Sequence, residues 1–97
     1  HITGGGFVDN IPRVLPKGCD VAIFRGTWSV LPVFELIQRH GKVDEAEMHQ
    51  VFNMGIGMTA IVSGSKADGI LRSIRRSGHR GWVIGEVRKG RGKVKLV

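Results

Sequence analysis

The fold is decided by residues 56–87, which have the sequence IGMTAIVSGSKADGILRSIRRSGHRGWVIGEV. The apolar runs 56–62 and 82–87 each predict a β-strand. Between them a helix is expected that ends at Gly78. Its apolar residues recur at the i, i+3, i+4 and i+7 spacing of one buried helix face: Ala67, Ile70, Leu71 and Ile74. We therefore expect a right-handed strand–helix–strand crossover, with this face packed on the two strands.

Two further helices are predicted in the first half of the chain. Ser29 can cap a helix over residues 30–40, with Pro32 tolerated in its first turn. Asp44 and Glu47 form a capping-box pattern at the start of a second helix. The apolar side chains that these two helices are expected to bury are Val33, Phe34, Leu36, Ile37, Met48, Val51 and Phe52.

Shorter segments complete the predicted fold. Phe7–Ile11 is expected to form one helical turn, and Val21–Phe24 a short strand. The second strand of the crossover unit is expected to pair with Lys93–Val97 in a hairpin that turns at residues 90–92. The chain is therefore predicted to be an α/β (α+β) protein, with a mixed β-sheet and helices packed on one face.

Composition is typical of an ordinary soluble globular protein, with 41% apolar and 24% charged residues. No apolar run approaches the roughly 20 residues of a membrane-spanning helix, so we expect no membrane partner. The one cysteine, Cys19, cannot form an internal disulfide, and the expected compartment is the reducing cytoplasm. Ninety-seven residues make one domain at most, and the start at His1 rather than Met suggests a processed product or a partial chain.

The net charge of +7 is concentrated near the end of the sequence. Residues 1–65 carry five basic and six acidic side chains, a net charge of −1, whereas residues 66–97 carry ten basic and two acidic, a net charge of +8. A basic segment of this kind can bind nucleic acid. Proteins that bind single strands also alternate aromatic side chains with the basic ones to stack bases, and no such alternation is present in this segment. We therefore expect a solvated, phosphate-attracting surface and no nucleic-acid partner.

A glycine triplet near the start of the chain has the features of an anion site. Gly4, Gly5 and Gly6 can bring backbone N–H groups close to a phosphate, and a helical turn follows directly. Asn10 and Arg13 lie one and two turns further on and can add an amide and a guanidinium. The spacing matches neither a Walker A loop nor a Rossmann fingerprint. From the residues alone, a phosphate site and a purely structural turn both stay open.

A second glycine-bearing stretch, Phe52–Met58, has two interpretations. Asn53 can bind a polar ligand group, and Gly55 and Gly57 permit close approach of the backbone. The same residues can instead end a helix in left-handed geometry and lead into a strand. His49, just before this stretch, is expected to be exposed.

Taken together, these motifs resemble those of the aminoimidazole ribonucleotide synthetase family, the phosphoribosylformylglycinamidine cyclo-ligases. The resemblance rests on HITGGGF at 1–7, DNIPRVLP at 9–16, FNMGIGM at 52–58 and WVIGEV at 82–87. The segments follow in the family's order and span essentially the whole chain. The resemblance places the chain in the C-terminal part of the family's second domain.

That resemblance implies ATP-dependent ring closure of formylglycinamidine ribonucleotide in purine biosynthesis. It also implies that ATP and Mg²⁺ are held mainly by an N-terminal domain, that the full-length protein is a homodimer, and that residues 1–97 alone are inactive. His1 is expected to transfer a proton or to orient the substrate. The residues expected to bind substrate or phosphate are Thr3, Gly4, Gly5, Gly6, Asn10, Arg13 and Asn53. The alternative is a non-catalytic nucleotide- or phosphate-binding module of the same superfamily.

Overall fold

The computed structural model describes residues His1–Val97 and confirms the α+β class. The helices are α1 (Gly6–Asn10), α2 (Pro32–Gly41), α3 (Glu45–Val51) and α4 (Ala67–Arg76), with short 3₁₀ turns at Ile11–Val14 and Gly64–Lys66. The strands are β1 (Cys19–Ile23), β2 (Gly85–Lys89) and β3 (Val94–Leu96). None of the helices combines the length and the apolarity that crossing a membrane requires.

The three strands form one mixed sheet with β1 in the centre. The order is β2-β1-β3, and β1 runs antiparallel to β2 and parallel to β3. The predicted hairpin is therefore wrong, because β2 and β3 pair with β1 instead of with each other. The connecting turn wraps around the start of β1: Gly90 N–H donates to the Gly18 carbonyl at 2.8 Å, and Gly92 N–H donates to the Cys19 carbonyl at 2.8 Å. These non-local bonds replace the hairpin ladder.

The hydrophobic core joins α1, α3 and β1. Phe7 and Met48 are fully buried, and the Phe7 ring meets the Trp28 ring edge-on with 5.6 Å between centroids. The Trp28 indole N–H donates to the Met54 carbonyl at 3.1 Å, which fixes the segment after α3 against the same core. The full cluster comprises Ile2, Phe7, Ile11, Val21, Ile23, Trp28, Met48, Met54 and Ile56. Burying each of the larger side chains contributes about 1.5–3 kcal/mol.

Helices α2 and α3 form close to the predicted positions but bury less than expected. Leu31, not Ser29, is the N-cap residue of α2, since the helix begins at Pro32. No residue of α2 is buried; Phe34 is half-buried against Phe52, with ring centroids 5.9 Å apart. The other predicted core residues, Val33, Leu36, Ile37 and Val51, are exposed. Asp44 occupies the predicted N-cap position of α3, although its side chain makes no capping hydrogen bond.

The predicted strand–helix–strand crossover is absent. Residues 56–62 form no strand, and none of the three strands of the sheet pairs with them. Helix α4 does form, and Gly78 follows its end with a positive φ of 91°. Its apolar stripe faces one side as predicted but is only half-buried. Leu71 and Ile74 lie beside Gly81, in the connection to β2, instead of on a pair of strands.

Candidate functional site

The side chain of Asn10 organises the glycine-rich loop. Its Nδ2 group lies within hydrogen-bond distance of three loop carbonyls, those of Thr3 (3.3 Å), Gly4 (3.3 Å) and Gly6 (2.7 Å). Its Oδ1 accepts from the Thr3 hydroxyl at 3.2 Å. Asn10 is only 7% exposed, so its polar atoms hydrogen-bond to the loop from the protein interior. The loop is thereby held with its carbonyl groups directed towards α1.

The backbone N–H groups of the same loop, unlike its carbonyls, are mostly without a hydrogen-bond partner in the chain. Gly6 N–H donates to the Thr3 carbonyl at 3.1 Å, but the N–H groups of Thr3, Gly4 and Gly5 donate no hydrogen bond within the chain. Thr3 and Gly4 are also exposed. With its carbonyls bound and its amides free, the loop has the polarity of an anion-binding turn.

The fold requires two of the three glycines of the loop, Gly5 and Gly6, for different reasons. Gly6 has φ 62°, and a Cβ there would overlap the His49 carbonyl oxygen, so glycine lets α1 and α3 meet. Gly5 has φ 94°, and a Cβ there would lie 2.5 Å from the Asp9 carboxylate. Gly4 has no positive φ, and a Cβ there would meet nothing within 4 Å. Neither backbone conformation nor packing within this chain therefore requires glycine at position 4.

The second glycine-bearing stretch lies against the first. Asn53 Nδ2 donates to the Ile2 carbonyl at 3.4 Å, and Ile2 N–H donates to the Gly57 carbonyl at 2.9 Å. Asn53 Oδ1 also accepts from Gly55 N–H at 2.9 Å, which closes a local turn in which Met54 and Gly55 have positive φ. Two motifs that lie about fifty residues apart in the sequence are thus joined at Ile2, since Asn53 lies 51 positions after Ile2. The Asn53 side chain is engaged in these internal bonds.

Arg13 and His1 occupy the surface around this loop. Arg13 lies in the 3₁₀ turn after α1, and its exposed guanidinium makes no hydrogen bond or ion pair within the chain. His1 is likewise exposed and makes no side-chain hydrogen bond within the chain. Both side chains are therefore available to an external ligand, and their roles stay predictions.

His49 was missed by the sequence reasoning and is buried, which corrects the expectation that it is exposed. Its ring Nδ1 lies 2.9 Å from the Glu45 carbonyl, and the ring meets the Trp28 ring edge-on with 6.4 Å between centroids. Its own carbonyl faces Gly6. The sequence signal for this burial was the position of His49 next to Met48, a core residue on the inner side of α3, where a polar residue needs a partner. His49 thus supports the loop from the α3 side, where its carbonyl lies next to Gly6.

A small cleft opens on the other side of His49. Its lining includes Arg25, Trp28, Glu35 and Glu45, and its volume is about 150 Å³. Ligand pockets typically enclose roughly 300 Å³ or more. The Arg25–Glu45 ion pair across it measures 3.1 Å and is about half exposed. The cleft is therefore too small and too open to be the principal site.

Asp20 organises the basic turn between β2 and β3. Its Oδ1 accepts from Lys93 N–H at 2.8 Å and from Arg91 N–H at 2.7 Å. These backbone hydrogen bonds, that of Lys93 first, lower the pKa of the Asp20 carboxyl below its usual value, because they favour the ionised form. A Cβ at Gly90 would overlap the Asp20 carboxylate, so glycine there admits the side chain. This carboxylate is structural and lies outside the loop described above.

Comparison with known proteins adds an independent finding. A family model described as AIR synthase related protein, C-terminal domain, matches residues 1–97. The chain is 50% identical, over 99% of its length, to a phosphoribosylformylglycinamidine cyclo-ligase of Caldicellulosiruptor saccharolyticus, of which it covers 28%. It is 48% identical over 95% of its length to the protein of the same name from Bacillus cytotoxicus, covering 26% of that protein. It is 45% identical over 100% of its length to the protein of the same name from Syntrophus aciditrophicus, and it covers 28% of that protein. The chain thus spans less than a third of these relatives.

Proposed function

Because the chain belongs to the AIR synthase related family, as a C-terminal domain, we propose that it is part of an ATP-dependent cyclo-ligase. The reaction is the conversion of formylglycinamidine ribonucleotide to aminoimidazole ribonucleotide in purine biosynthesis. The relatives that carry the cyclo-ligase name match nearly all of this chain at 45–50% identity, which supports the assignment. The full-length protein is proposed to be a cytoplasmic homodimer, and residues 1–97 alone are expected to be inactive.

The observation that carries the proposed site is the set of free amides at Thr3, Gly4 and Gly5. Within the proposal they hold a phosphate group of the substrate or of the nucleotide, because consecutive unpaired N–H groups form a concave donor site for anions. Gly4 supports this placement, since nothing in the chain itself explains its missing side chain. The guanidinium of Arg13 is proposed to add charged hydrogen bonds to the same phosphate.

Asn10 and Asn53 act differently within this proposal. The sequence reasoning assigned both to the ligand, but each side chain is engaged with the protein backbone. Asn10 is therefore proposed to shape the loop by holding its carbonyls inward, and Asn53 to hold Ile2 in place. His1 is proposed to stand at the rim, where it transfers a proton or orients the substrate.

The proposed chemistry activates an amide oxygen. ATP supplies the phosphoryl group that converts the formyl oxygen into a good leaving group; a substrate nitrogen then attacks that carbon, and phosphate departs as the imidazole ring closes. This chain contributes positioning and charge stabilisation through the loop amides and Arg13. It brings together no group of three or more His, Cys, Asp or Glu residues that could hold a metal ion. We therefore assign Mg²⁺ no ligands and no step within residues 1–97.

The decisive test is Gly4→Val in the full-length enzyme. The new side chain meets no protein atom within 4 Å of its Cβ, so the fold is expected to survive, whereas a phosphate on the loop amides is displaced. We expect kcat/KM to fall by about two orders of magnitude or more, as when reacting groups are misplaced by about 1 Å. Gly64→Val is the matched control, because Gly64 is also exposed, with open space around its Cβ. Full activity in both variants would disprove the loop site.

Arg13→Ala tests the side-chain contact. Loss of one charged hydrogen bond costs about 1.5–3 kcal/mol, which raises KM by roughly 10- to 150-fold. The melting temperature should stay unchanged, since Arg13 has no partner within the chain. An unchanged KM would remove Arg13 from the site. Phosphate binding by the full-length protein without any turnover would instead favour the non-catalytic module.

A further inference from the structure

Asp9 places a carboxylate directly beside the free amides of the glycine-rich loop. Its Oδ2 atom lies 2.5 Å from the position that a Cβ at Gly5 would occupy, so the Asp9 side chain covers that residue. The Asp9 N–H group also donates to the Gly5 carbonyl at 3.3 Å. A negative charge is therefore a neighbour of the proposed phosphate site.

The carboxylate is held in this position from the neighbouring helix α3. Gln50 donates from Nε2 to Asp9 Oδ2 at 3.2 Å, and neither side chain makes another hydrogen bond within the chain. No basic side chain neutralises Asp9, since the two ion pairs of the chain belong to Arg25 and Arg88. Because Asp9 is exposed, its Oδ1 atom stays open to a donor from outside the chain.

An unpaired carboxylate at this place opposes the binding of a bare phosphate, because like charges at short distance repel. The same carboxylate would attract a ligand that carries hydroxyl groups near its phosphate, since an ionised carboxylate only accepts hydrogen bonds. A ribonucleotide carries both groups. Dinucleotide-binding folds likewise combine a glycine-rich phosphate loop with a carboxylate that accepts from a ribose hydroxyl.

We propose that Asp9 is a specificity-determining residue, whose carboxylate accepts hydrogen bonds from the ribose hydroxyls of a ribonucleotide held on the loop amides. This inference rests on the proposed function, in which both reactants, ATP and formylglycinamidine ribonucleotide, carry a ribose and a phosphate. Gln50 is a positioning residue that keeps the carboxylate over Gly5. The consequence is selection of ribose over deoxyribose at the loop.

A binding cycle between protein and ligand tests this role in the full-length protein. Kd is measured for ATP and for formylglycinamidine ribonucleotide, each against its 2′-deoxy and 3′-deoxy analogues. For one of the two ligands, we expect the wild type to prefer the ribose form by about 10- to 150-fold over at least one deoxy form, as for one charged hydrogen bond. The ligand that shows this preference is the one that occupies the loop.

The same measurements on Asp9→Ala complete the cycle. The preference for ribose should fall to about twofold or less, because the two partners of the contact no longer act together. Asp68→Ala is the matched control, because Asp68 is also an exposed helical aspartate without a hydrogen bond in the chain. It should keep the preference of the wild type.

The sign of the change separates this role from the alternatives. If the carboxylate only repels phosphate, Asp9→Ala binds both ribonucleotides at least as tightly as the wild type, and the proposal fails. An equal loss of affinity for ribose and deoxyribose forms would assign the carboxylate to another partner, such as a cation, and would overturn the proposal too. A wild type without any ribose preference contradicts it directly.

Gln50→Ala provides the second measurement, because it leaves the Asp9 carboxylate in the chain but removes the amide that holds it. The ribose preference should fall by less than in Asp9→Ala, and the urea midpoint should stay at the wild-type value. An unchanged preference would refute the positioning role of Gln50. Cyclo-ligase turnover is read separately: its absence refutes the proposed function, whereas turnover without ribose preference refutes only the role of Asp9.

Discussion

Residues 1–56 and residues 57–97 are stabilised in different ways. Every buried residue of the chain lies in the first region, between Ile2 and Ile56. The second region has no buried residue, although it supplies two of the three strands and most of the positive charge. Apolar burial therefore specifies the first region, whereas the second depends largely on hydrogen bonds to β1.

The attachment of the second region shows what this difference means. β2 and β3 pair with β1, and Asp20 holds the turn that joins them. Half-buried side chains, including those of Trp82 and Leu96, pack against the core from outside. We infer that damage to the first region unfolds the whole chain, whereas damage to the second costs less.

Gly6→Ala should have the largest effect on stability. The new methyl group would overlap the His49 carbonyl, and the residue would keep a positive φ, so α1 and α3 must separate. We expect a loss of about 3–5 kcal/mol in the free energy of unfolding, measured by urea titration. Gly4→Ala is the control and should change it by less than about 0.5 kcal/mol. Equal effects of the two variants would mean that the contact between the helices does not hold the first region.

A pair of core truncations compares the two regions directly. Met48→Ala removes a fully buried side chain and should cost about 2–5 kcal/mol. Ile74→Ala removes a half-buried one from α4 and should cost about 1 kcal/mol or less in this chain. The sequence alone predicted that Ile74 lies in the core, so that Ile74→Ala would lower the free energy of unfolding by as much as any core truncation. Urea titration of both variants checks the ranking, and a cost for Ile74→Ala as large as that for Met48→Ala would contradict it.

The smallest effect concerns acid stability and the attachment of the second region. Because the pKa of Asp20 is lower in the folded chain than in the unfolded chain, its ionised form stabilises the fold above the unfolded value of about 3.9. That contribution is lost as the pH falls through the lower folded value. Asp20→Asn keeps an oxygen acceptor but does not ionise, so its urea midpoint should vary less between about pH 5 and pH 2 than that of the wild type.

Asp68→Asn is the control for this measurement, since Asp68 makes no hydrogen bond within the chain. Its acid profile should follow that of the wild type. If Asp20→Asn also follows the wild type, the Asp20 carboxylate does not attach the β2–β3 turn.

Local elements could be predicted from the sequence where one segment contains the whole signal. The apolar stripe of α4, the end of that helix before Gly78 and the turn at Phe7 are contained within a few residues of sequence. Strand pairing is not local. The hairpin prediction failed because the turn between β2 and β3 is hydrogen-bonded to residues about seventy positions earlier in the sequence. Its partners are the Asp20 side chain and the carbonyls of Gly18 and Cys19.

The candidate site shows the same division. A glycine triplet with Asn10 and Arg13 downstream was sufficient to locate a possible phosphate loop. The pattern could not reveal whether the Asn10 amide faces a ligand or the loop, because both need the same residue at the same spacing. Distances in the structure distinguish them: the amide contacts the loop carbonyls. Nor could sequence show that Asn53 meets Ile2, a contact across 51 residues.

The sequence by itself determined the helices, the α+β class, the uneven charge and the family resemblance, because these depend on composition and on short-range spacing. Only the tertiary structure decided that β1 lies between β2 and β3, that His49 and Asn10 support the loop from inside, and that residues 58–62 stay unpaired. The physical reason is that each backbone N–H or C=O bonds with the partners that three-dimensional packing brings to it. Those partners lie far away in the sequence.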